Sequence, residues 1–247
     1  MGEVLVVTSG KGGTGKTTLC AGLASCLAAM GQRVLAIDCD IGLNNLDIAL
    51  GMTDCATISF LDVMMENHYL SDAPEHPVIP GLQLLTAPTK TRAGLVDDVI
   101  FGRLIEEAAE VYDWVLLDAP AGIGTGFDLA ASYATRAIVV ATADLGSLRD
   151  AQHAAALLVE RGIDPIHLVV NRVTRRLLSS IRSTVDDMMD TIGLPLLGII
   201  PEDQAVPVSA AEGSALVLHS RKGAALASLH IARRLLGLEA PLIRLRY

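Results

Sequence analysis

Short runs of apolar residues recur along this chain of 247 residues, separated by longer segments in which apolar positions recur every three or four residues. The short runs are typical of buried strands, and the longer segments are typical of amphipathic helices. The predicted strands are 3–8, 33–40, 82–87, the strand-and-loop segment 113–122, 136–142, 166–172 and 194–200. The predicted helices are 16–30, 57–66, 97–112, 147–161, 180–192 and 221–236.

The strands and helices alternate at the spacing of βαβ units throughout the chain. Right-handed crossovers then give one mainly parallel, twisted sheet with helices on both faces. We therefore expect an α/β fold in a single domain over residues 1–247, with residues 238–247 as a C-terminal tail. Ligands of such sheets bind at the carboxyl ends of the strands.

Composition narrows the functional classes. The chain is 51% hydrophobic and carries a formal net charge of −9, which disfavours general nucleic-acid binding. No apolar run reaches the roughly 18 residues that a membrane-spanning helix needs, and the first run lacks the basic start of a signal peptide. Four cysteines without C-x-x-C spacing fit a reducing compartment. We expect a cytoplasmic protein.

The stretch TSGKGGTGKTT, residues 8–18, follows the first strand and fits the phosphate-binding pattern G-x-x-x-x-G-K-[ST]. Its glycines let backbone N–H groups approach phosphates, and the following helix adds its positive end. Lys16 can reach the β- and γ-phosphates, and Thr17 can offer its hydroxyl to Mg²⁺. The residues predicted to contact the nucleotide here are Gly10, Lys11, Gly12, Gly13, Thr14, Gly15, Lys16, Thr17 and Thr18.

Three acidic residues end predicted strands. Asp118 closes the strand WVLLD, where a second acid can hold Mg²⁺ directly or through water. Asp38 ends the second strand and is predicted to face the metal, whereas Asp40 lies just outside it as a base or water-positioning group. The predicted metal site therefore comprises Thr17, Asp38 and Asp118.

Two strand ends further along supply a predicted base pocket. Asn171 ends the strand HLVVN, and its amide offers both a donor and an acceptor to adenine. The segment 201–206 follows the next strand, and Pro201 and Asp203 are predicted to line the same pocket. The expected cofactors are ATP and Mg²⁺.

Five segments resemble the MinD/ParA class of deviant Walker A ATPases, and within it the septum-site-determining MinD proteins. They are KGGTGKTT at 11–18, DCDIGLNNLDIALGM at 38–52, DAPAGI at 118–123, LRDAQ at 148–152 and GLPLLGIIPEDQAV at 193–206. The resemblance covers about residues 2–239 and implies a P-loop NTPase fold of the SIMIBI type.

The resemblance implies roles for several residues. Lys11 would reach phosphates bound by a partner subunit, so that ATP joins two copies and ADP leaves monomers. Lys16 and Asp40 would complete the catalytic set, with Asp40 orienting the attacking water and Asp118 acting as the Walker B acid. Hydrolysis would be slow without an activator.

The resemblance also implies partners. Arg149 and Asp150 match a helix that binds a MinC-like inhibitor and a MinE-like activator. MinD proteins usually end in an amphipathic helix that attaches to anionic membranes, but Pro241 interrupts any helix here, and residues 230–238 fit a helix packed on the sheet. Either a longer tail is missing from this sequence, or the chain attaches peripherally to the inner face of the cell membrane, weakly through its own tail or through a partner, or it does not attach at all. Asn44-Asn45 replaces a frequent Arg-Asn pair, so we expect the contacts of the switch with partners to differ from those of the family more than hydrolysis does.

Three alternatives belong to other classes. A ParA-type DNA-partitioning or other cargo-positioning ATPase would use surface cations, and Arg172, Arg175, Arg176 and Arg182 cluster in sequence. An iron–sulfur or metal carrier would need paired cysteines, which the spacing does not offer. A non-hydrolysing scaffold would lack part of the catalytic set, whereas this chain keeps it.

Overall fold

The computed structural model describes residues 1–89, 96–181 and 184–243. Within these residues, seven parallel strands form one sheet in the order β3-β2-β4-β1-β5-β6-β7. The strands are β1 Glu3–Thr8, β2 Val34–Asp38, β3 Leu82–Leu85, β4 Trp114–Asp118, β5 Arg136–Thr142, β6 Ile166–Val173 and β7 Leu196–Pro201. The predicted α/β class with a parallel sheet is confirmed.

Helices cover both faces of this sheet, as predicted. They are α1 Lys16–Ala29, α2 Leu46–Leu50, α3 Phe60–Met64, α4 Asp98–Val111, α5 Thr125–Ala131, α6 Leu145–Glu160, α7 Arg175–Ile181, α8 Val185–Ile192, α9 Ala205–Ala211, α10 Leu216–His219 and α11 Gly223–Leu235. Alternate strand residues point to opposite faces. Val6 therefore packs in the core with Phe101 of α4, whereas Leu5 packs in the core with Leu23 of α1 and Ile231 of α11.

Some predicted boundaries differ from the structure. The second strand was expected to reach residue 40 but ends at Asp38, where the chain turns away from the sheet. The helix expected over 57–66 covers only Phe60–Met64, because Ser59 caps it in a capping box with Asp62. The helix expected over 180–192 is two helices, α7 and α8, and residues 182–183 between them lie outside the described residues.

The final helix packs on the sheet, as its sequence pattern predicted. Ile231 and Leu235 of α11 are buried, and Arg234 donates to Leu197 O of β7 and to Ala240 O. The boundary of the tail at residue 238 stays a prediction, and residues 244–247 are not among those described. Among the described residues, no helix has both the length and the apolar character needed to cross a membrane.

Candidate active site

The carboxyl edge of the sheet gathers the predicted residues. β1 runs directly into the glycine-rich loop, and β4 beside it ends at Asp118. Asp38 pairs in register with Asp118, since β2 lies on the other side of β4. On the opposite side of β1, Asn171 pairs with Thr142 at the end of β5. One end of the sheet therefore presents two carboxylates, an amide and the loop.

The glycine-rich loop leaves the first turn of α1 open to an anion. Gly15 precedes the helix at φ +91°, a left-handed conformation that suits glycine, and the helix start has no side-chain cap and no acidic residue in its first turn. Free backbone N–H groups and the helix dipole favour negative charge at this position. The loop is thus suited to phosphate, as its sequence predicted.

Beneath the loop lies Asn171, in a position that the sequence did not reveal. Its Nδ2 donates to Thr14 O at 2.7 Å, and its Oδ1 accepts from the N–H of Arg172 at 2.8 Å. A Cβ at Gly15 would collide with Nδ2 of Asn171, so only glycine allows this approach. Asn171 therefore supports the phosphate loop, and its role in reading a nucleobase stays a prediction.

Lys16 and Asp118 are both buried at the centre of the site. Burial, reinforced by the charge of Asp38, raises the pKa of Asp118 to about 8, while the Thr17 side chain and Lys16 act in the opposite direction. Burial lowers the pKa of Lys16, although Asp118 and Asp40 oppose that shift. Oδ1 of Asp118 is buried and has no hydrogen-bond partner among the residues that the structure describes. A buried carboxylate oxygen without a partner fits a bound Mg²⁺ or one of its waters.

Asp38 and Asp40 differ in what their carboxylates contact. Asp38 is buried and accepts from the backbone N–H groups of Asp40 at 2.8 Å, Asn45 at 3.0 Å and Leu46 at 3.1 Å. It therefore fixes the segment between β2 and α2. Asp40 is half-buried, and burial raises its pKa while the charge of Lys16 lowers it. The metal role of Asp38 and the water-positioning role of Asp40 stay predictions.

A cavity of about 420 Å³ lies between the phosphate loop and the ends of β6 and β7. Its wall includes Lys16, Thr17, Asn171, Pro201 and Asp203, all predicted to contact the nucleotide or its metal. Asp203 also accepts from the N–H groups of Ala205 and Ala224, which places it at the start of both α9 and α11. The five residues thus surround one space of a size that small ligands occupy.

Lys11 is held within its own chain. Its Nζ donates to Oδ1 of Asp144 at 3.1 Å, and Asp144 also caps α6 by accepting from the N–H of Ser147. Sequence reasoning did not single out Asp144, although an aspartate immediately before a helix is a recognisable N-cap signal. Arg172 was likewise not assigned to the nucleotide, and Glu202 was included only as part of the segment 201–206, yet both line the 420 Å³ cavity.

Comparison with known proteins agrees with this geometry. A model of the CobQ/CobB/MinD/ParA nucleotide binding domain matches residues 5–217. The septum site-determining protein MinD of Synechocystis sp. is 35% identical over 98% of this chain and 92% of its own length. MinD of Bacillus subtilis gives the same identity and coverage. The chain belongs to the MinD family.

Solved MinD structures share the whole fold. MinD in a MinC:MinD complex from Aquifex aeolicus superposes with a TM-score of 0.90 at 34% identity, covering 98% of this chain and 99% of that one. MinD of Pyrococcus horikoshii, solved with Mg-ADP, gives a TM-score of 0.82 at 28% identity, covering 95% and 96%. The resemblance first read from five sequence segments is therefore confirmed.

The ParA alternative has weaker support than the MinD reading. A ParA family ATPase from Chlorobium tepidum is 24% identical, a likeness that shows the fold alone. Arg172, one of the four clustered arginines, is paired with Glu202 in this structure, and Arg182 lies outside the described residues.

The predicted partner-binding residues lie on the helix that packs against the phosphate loop. Arg149 is exposed on α6 and Asp150 is half-buried, where a Cβ on Gly10 would collide with the Asp150 backbone. A partner bound to α6 near Asp150 would therefore lie close to the phosphate loop. Partner binding by Arg149 and Asp150 stays a prediction.

Proposed function

We propose that this chain is a Mg-ATP-dependent dimerising ATPase switch of the MinD type that positions the cell-division septum. The observation that carries the proposal is the burial of Lys16 together with Asp118 below an uncapped helix start. Burial disfavours the charged form of each group, as the raised pKa of Asp118 and the lowered pKa of Lys16 show, so this arrangement favours an anion beside Lys16 and a cation beside Asp118. A nucleotide phosphate and Mg²⁺ supply both.

Each residue of the loop then has a distinct task. Backbone N–H groups from Gly13 to Thr18 hold the phosphates, and Lys16 neutralises charge on the transferred phosphoryl group. Thr17 and Asp118 would hold Mg²⁺, which would supply positive charge to offset that of the phosphates. Asp40, half-buried at the edge of the site, accepts a proton from or orients the attacking water.

Lys11 couples hydrolysis to dimerisation. Lys11 is exposed at the phosphate loop, and its side chain extends away from the 420 Å³ cavity to pair with Asp144. Two nucleotides that face each other across a twofold interface repel unless cations lie between them. A lysine supplied by each subunit to its partner's phosphates meets this need in the manner of an arginine finger.

Partners of the switch follow from its relatives. The Aquifex structure contains MinC with MinD, so we propose a MinC-like inhibitor for this chain and a MinE-like activator that speeds slow basal turnover. Their contact surface is the exposed side of α6 around Arg149 and Asp150. Asp144, which pairs with Lys11, is the N-cap of this helix, so the proposed partner surface and the catalytic loop are connected through one element.

The test of the switch compares wild-type chain with Lys11→Ala in Mg-ATP and Mg-ADP. Wild type is expected to be a dimer with ATP and a monomer with ADP in sedimentation-velocity runs. Lys11→Ala is expected to bind nucleotide but stay monomeric, because Lys16 and the loop remain. A Lys11→Ala dimer with ATP would refute the role of Lys11 in trans. Absence of nucleotide binding by wild type would refute the switch itself.

The chain works in the cytoplasm, and attachment to the inner face of the membrane is peripheral. The apolar face of α11 is used inside the fold, and we propose that the tail at 238–247 or a partner makes contact with the membrane. Co-sedimentation with anionic liposomes separates these routes. Sedimentation of the chain alone only with ATP would assign attachment to the tail, and sedimentation only with added partner would assign it to the partner.

A further inference from the structure

The end of β6 carries one residue more than the strand beside it. Val170 pairs with Ile199 of β7, and the next pairing joins Val173 to Pro201, so three steps on β6 match two on β7. Such a β-bulge redirects side chains and is common beside functional sites. Here it separates two consecutive side chains, with Asn171 buried beneath the phosphate loop and Arg172 at the surface.

Arg172 occupies an unfavourable backbone conformation in this bulge. Its φ is +58°, in the left-handed region that glycine adopts freely and that larger residues rarely adopt. Strained backbone of this kind persists where the surroundings enforce it, and it is concentrated at functional sites. The N–H of Arg172 is fixed by Oδ1 of Asn171 at 2.8 Å. Glycine would adopt this conformation without strain, so the presence of arginine at position 172 indicates a functional role for its side chain.

The side chain of Arg172 reaches across to the loop after β7. Its Nε donates to Oε2 of Glu202 at 2.8 Å, and its Nη2 donates to Oε1 at 3.4 Å. This two-point pairing holds the guanidinium and carboxylate in a defined orientation. The pair therefore joins the end of β6 to the end of β7 at the protein surface.

These two neighbouring strand ends both line the nucleotide cavity. Asn171 stands on the β6 side, and Pro201 and Asp203 stand on the β7 side. Arg172 and Glu202 line this cavity and also a neighbouring cavity of about 520 Å³ that contains Lys11 and Asp144. Because the pair is half exposed and lines both cavities, it lies at the rim between them.

We propose that the Arg172–Glu202 ion pair is a clasp that closes the rim of the nucleotide cavity and slows nucleotide release. The proposal rests on the proposed ATP site and adds two residues that control its exchange. An exposed ion pair contributes little free energy, about 0.2–1 kcal/mol. The clasp therefore opens readily. It slows dissociation of the nucleotide but does not prevent the nucleotide from entering the cavity.

The test measures release of a fluorescent ADP analogue from Mg²⁺-loaded protein by stopped flow. Arg172→Gly removes the guanidinium at a position whose backbone suits glycine, and Glu202→Ala removes the carboxylate. Each is expected to release nucleotide roughly two- to fivefold faster, the range for an exposed ion pair. The double variant is expected to match either single variant, since both changes open one contact. Glu212→Ala, which removes an acid paired with His219, is the control.

Several outcomes would overturn the clasp. Unchanged release in both single variants would do so, as would effects that multiply in the double variant. Faster release in Arg172→Gly with wild-type release in Glu202→Ala would show that the guanidinium contacts the nucleotide by itself. A wild-type chain that binds no nucleotide analogue would overturn the proposed function, and the clasp with it.

Discussion

Nζ of Lys11 lies 3.1 Å from Oδ1 of Asp144, so the lysine proposed to act on a partner subunit is paired within its own chain. Asp144 is well suited to hold a cation. The hydroxyl of Thr142, the N–H of Ser147 and Lys11 itself together lower the pKa of Asp144 to about 2, with the Thr142 hydrogen bond the largest cause. In the proposed dimer, Lys11 would have to leave this carboxylate to reach a second nucleotide, so the pairing would favour the monomer.

Asp144→Asn should strengthen the ATP dimer. Asparagine is an equally good N-cap and can still accept from Ser147, so α6 keeps its start while Lys11 loses its ionic partner. We expect the dimer dissociation constant to fall roughly two- to thirtyfold, in line with the loss of one half-exposed ion pair in each of the two subunits. Sedimentation equilibrium in Mg-ATP measures it. Weaker dimerisation would mean that Asp144 positions Lys11 for its task instead of restraining it.

Asp40→Ala should trap the ATP-bound dimer. The phosphate loop and Asp118 are unchanged, so nucleotide and metal still bind, whereas the group that orients or deprotonates water is lost. A general base of this kind contributes about a hundredfold or more to the rate. Phosphate release per dimer, measured alongside gel filtration in Mg-ATP, checks this. Asp54→Ala, an exposed acid in the loop after α2, is the matched control and should turn over normally. Normal turnover by Asp40→Ala would remove Asp40 from its role.

The strands and the phosphate loop could be predicted from sequence because their signals are local. A buried strand shows as an apolar run, and the pattern from Gly10 to Thr17 carries its own mechanism. The order of the elements also placed Asp118 and Asn171 at the same edge of the sheet. The order of strands and helices therefore predicted correctly which residues lie near the site.

What the side chains contact could not be predicted in the same way. Asp38 and Asp118 both end apolar strands, but only the folded chain shows that the backbone from residue 40 to 46 closes around Asp38. The approach of Asn171 to Thr14 joins residues 157 positions apart, and no local pattern encodes it. The left-handed conformation of Arg172 could not be predicted, because residues other than glycine rarely adopt a positive φ.

Asn171→Ala distinguishes the supporting role of this residue from the predicted base-reading role. The substitution leaves the buried carbonyl of Thr14 without its donor at 2.7 Å and the N–H of Arg172 without its acceptor. A buried polar group left unpaired costs about 1–3 kcal/mol. The nucleotide-free protein should therefore lose about that much free energy of unfolding in urea titrations. Weaker ADP binding with unchanged stability of the free protein would instead favour contact with the base.

The stability of the fold should fall below neutral pH because of His76. This buried ring contacts Leu50 O through Nε2 at 2.9 Å, while its Nδ1 accepts from the N–H groups of Val78 and Ile79 at 3.0 Å. Because two backbone N–H groups point at Nδ1, the ring is neutral and carries its proton on Nε2. Protonation of Nδ1 would place its N–H against the N–H groups of Val78 and Ile79. Burial lowers the pKa of His76 in the folded state.

The unfolded chain then binds the proton more tightly, with a pKa of about 6.5. The contribution of His76 to stability is therefore complete above pH 6.5 and declines as the pH falls below that value. Urea unfolding at pH 8, 7, 6 and 5.5 measures the decline. His76→Gln should be less stable at pH 8 but should lose less free energy of unfolding between pH 8 and 5.5. His167, whose pKa burial also lowers, titrates equally in both proteins, so the difference between them isolates His76. Parallel pH curves for the two proteins would show that His76 does not contribute.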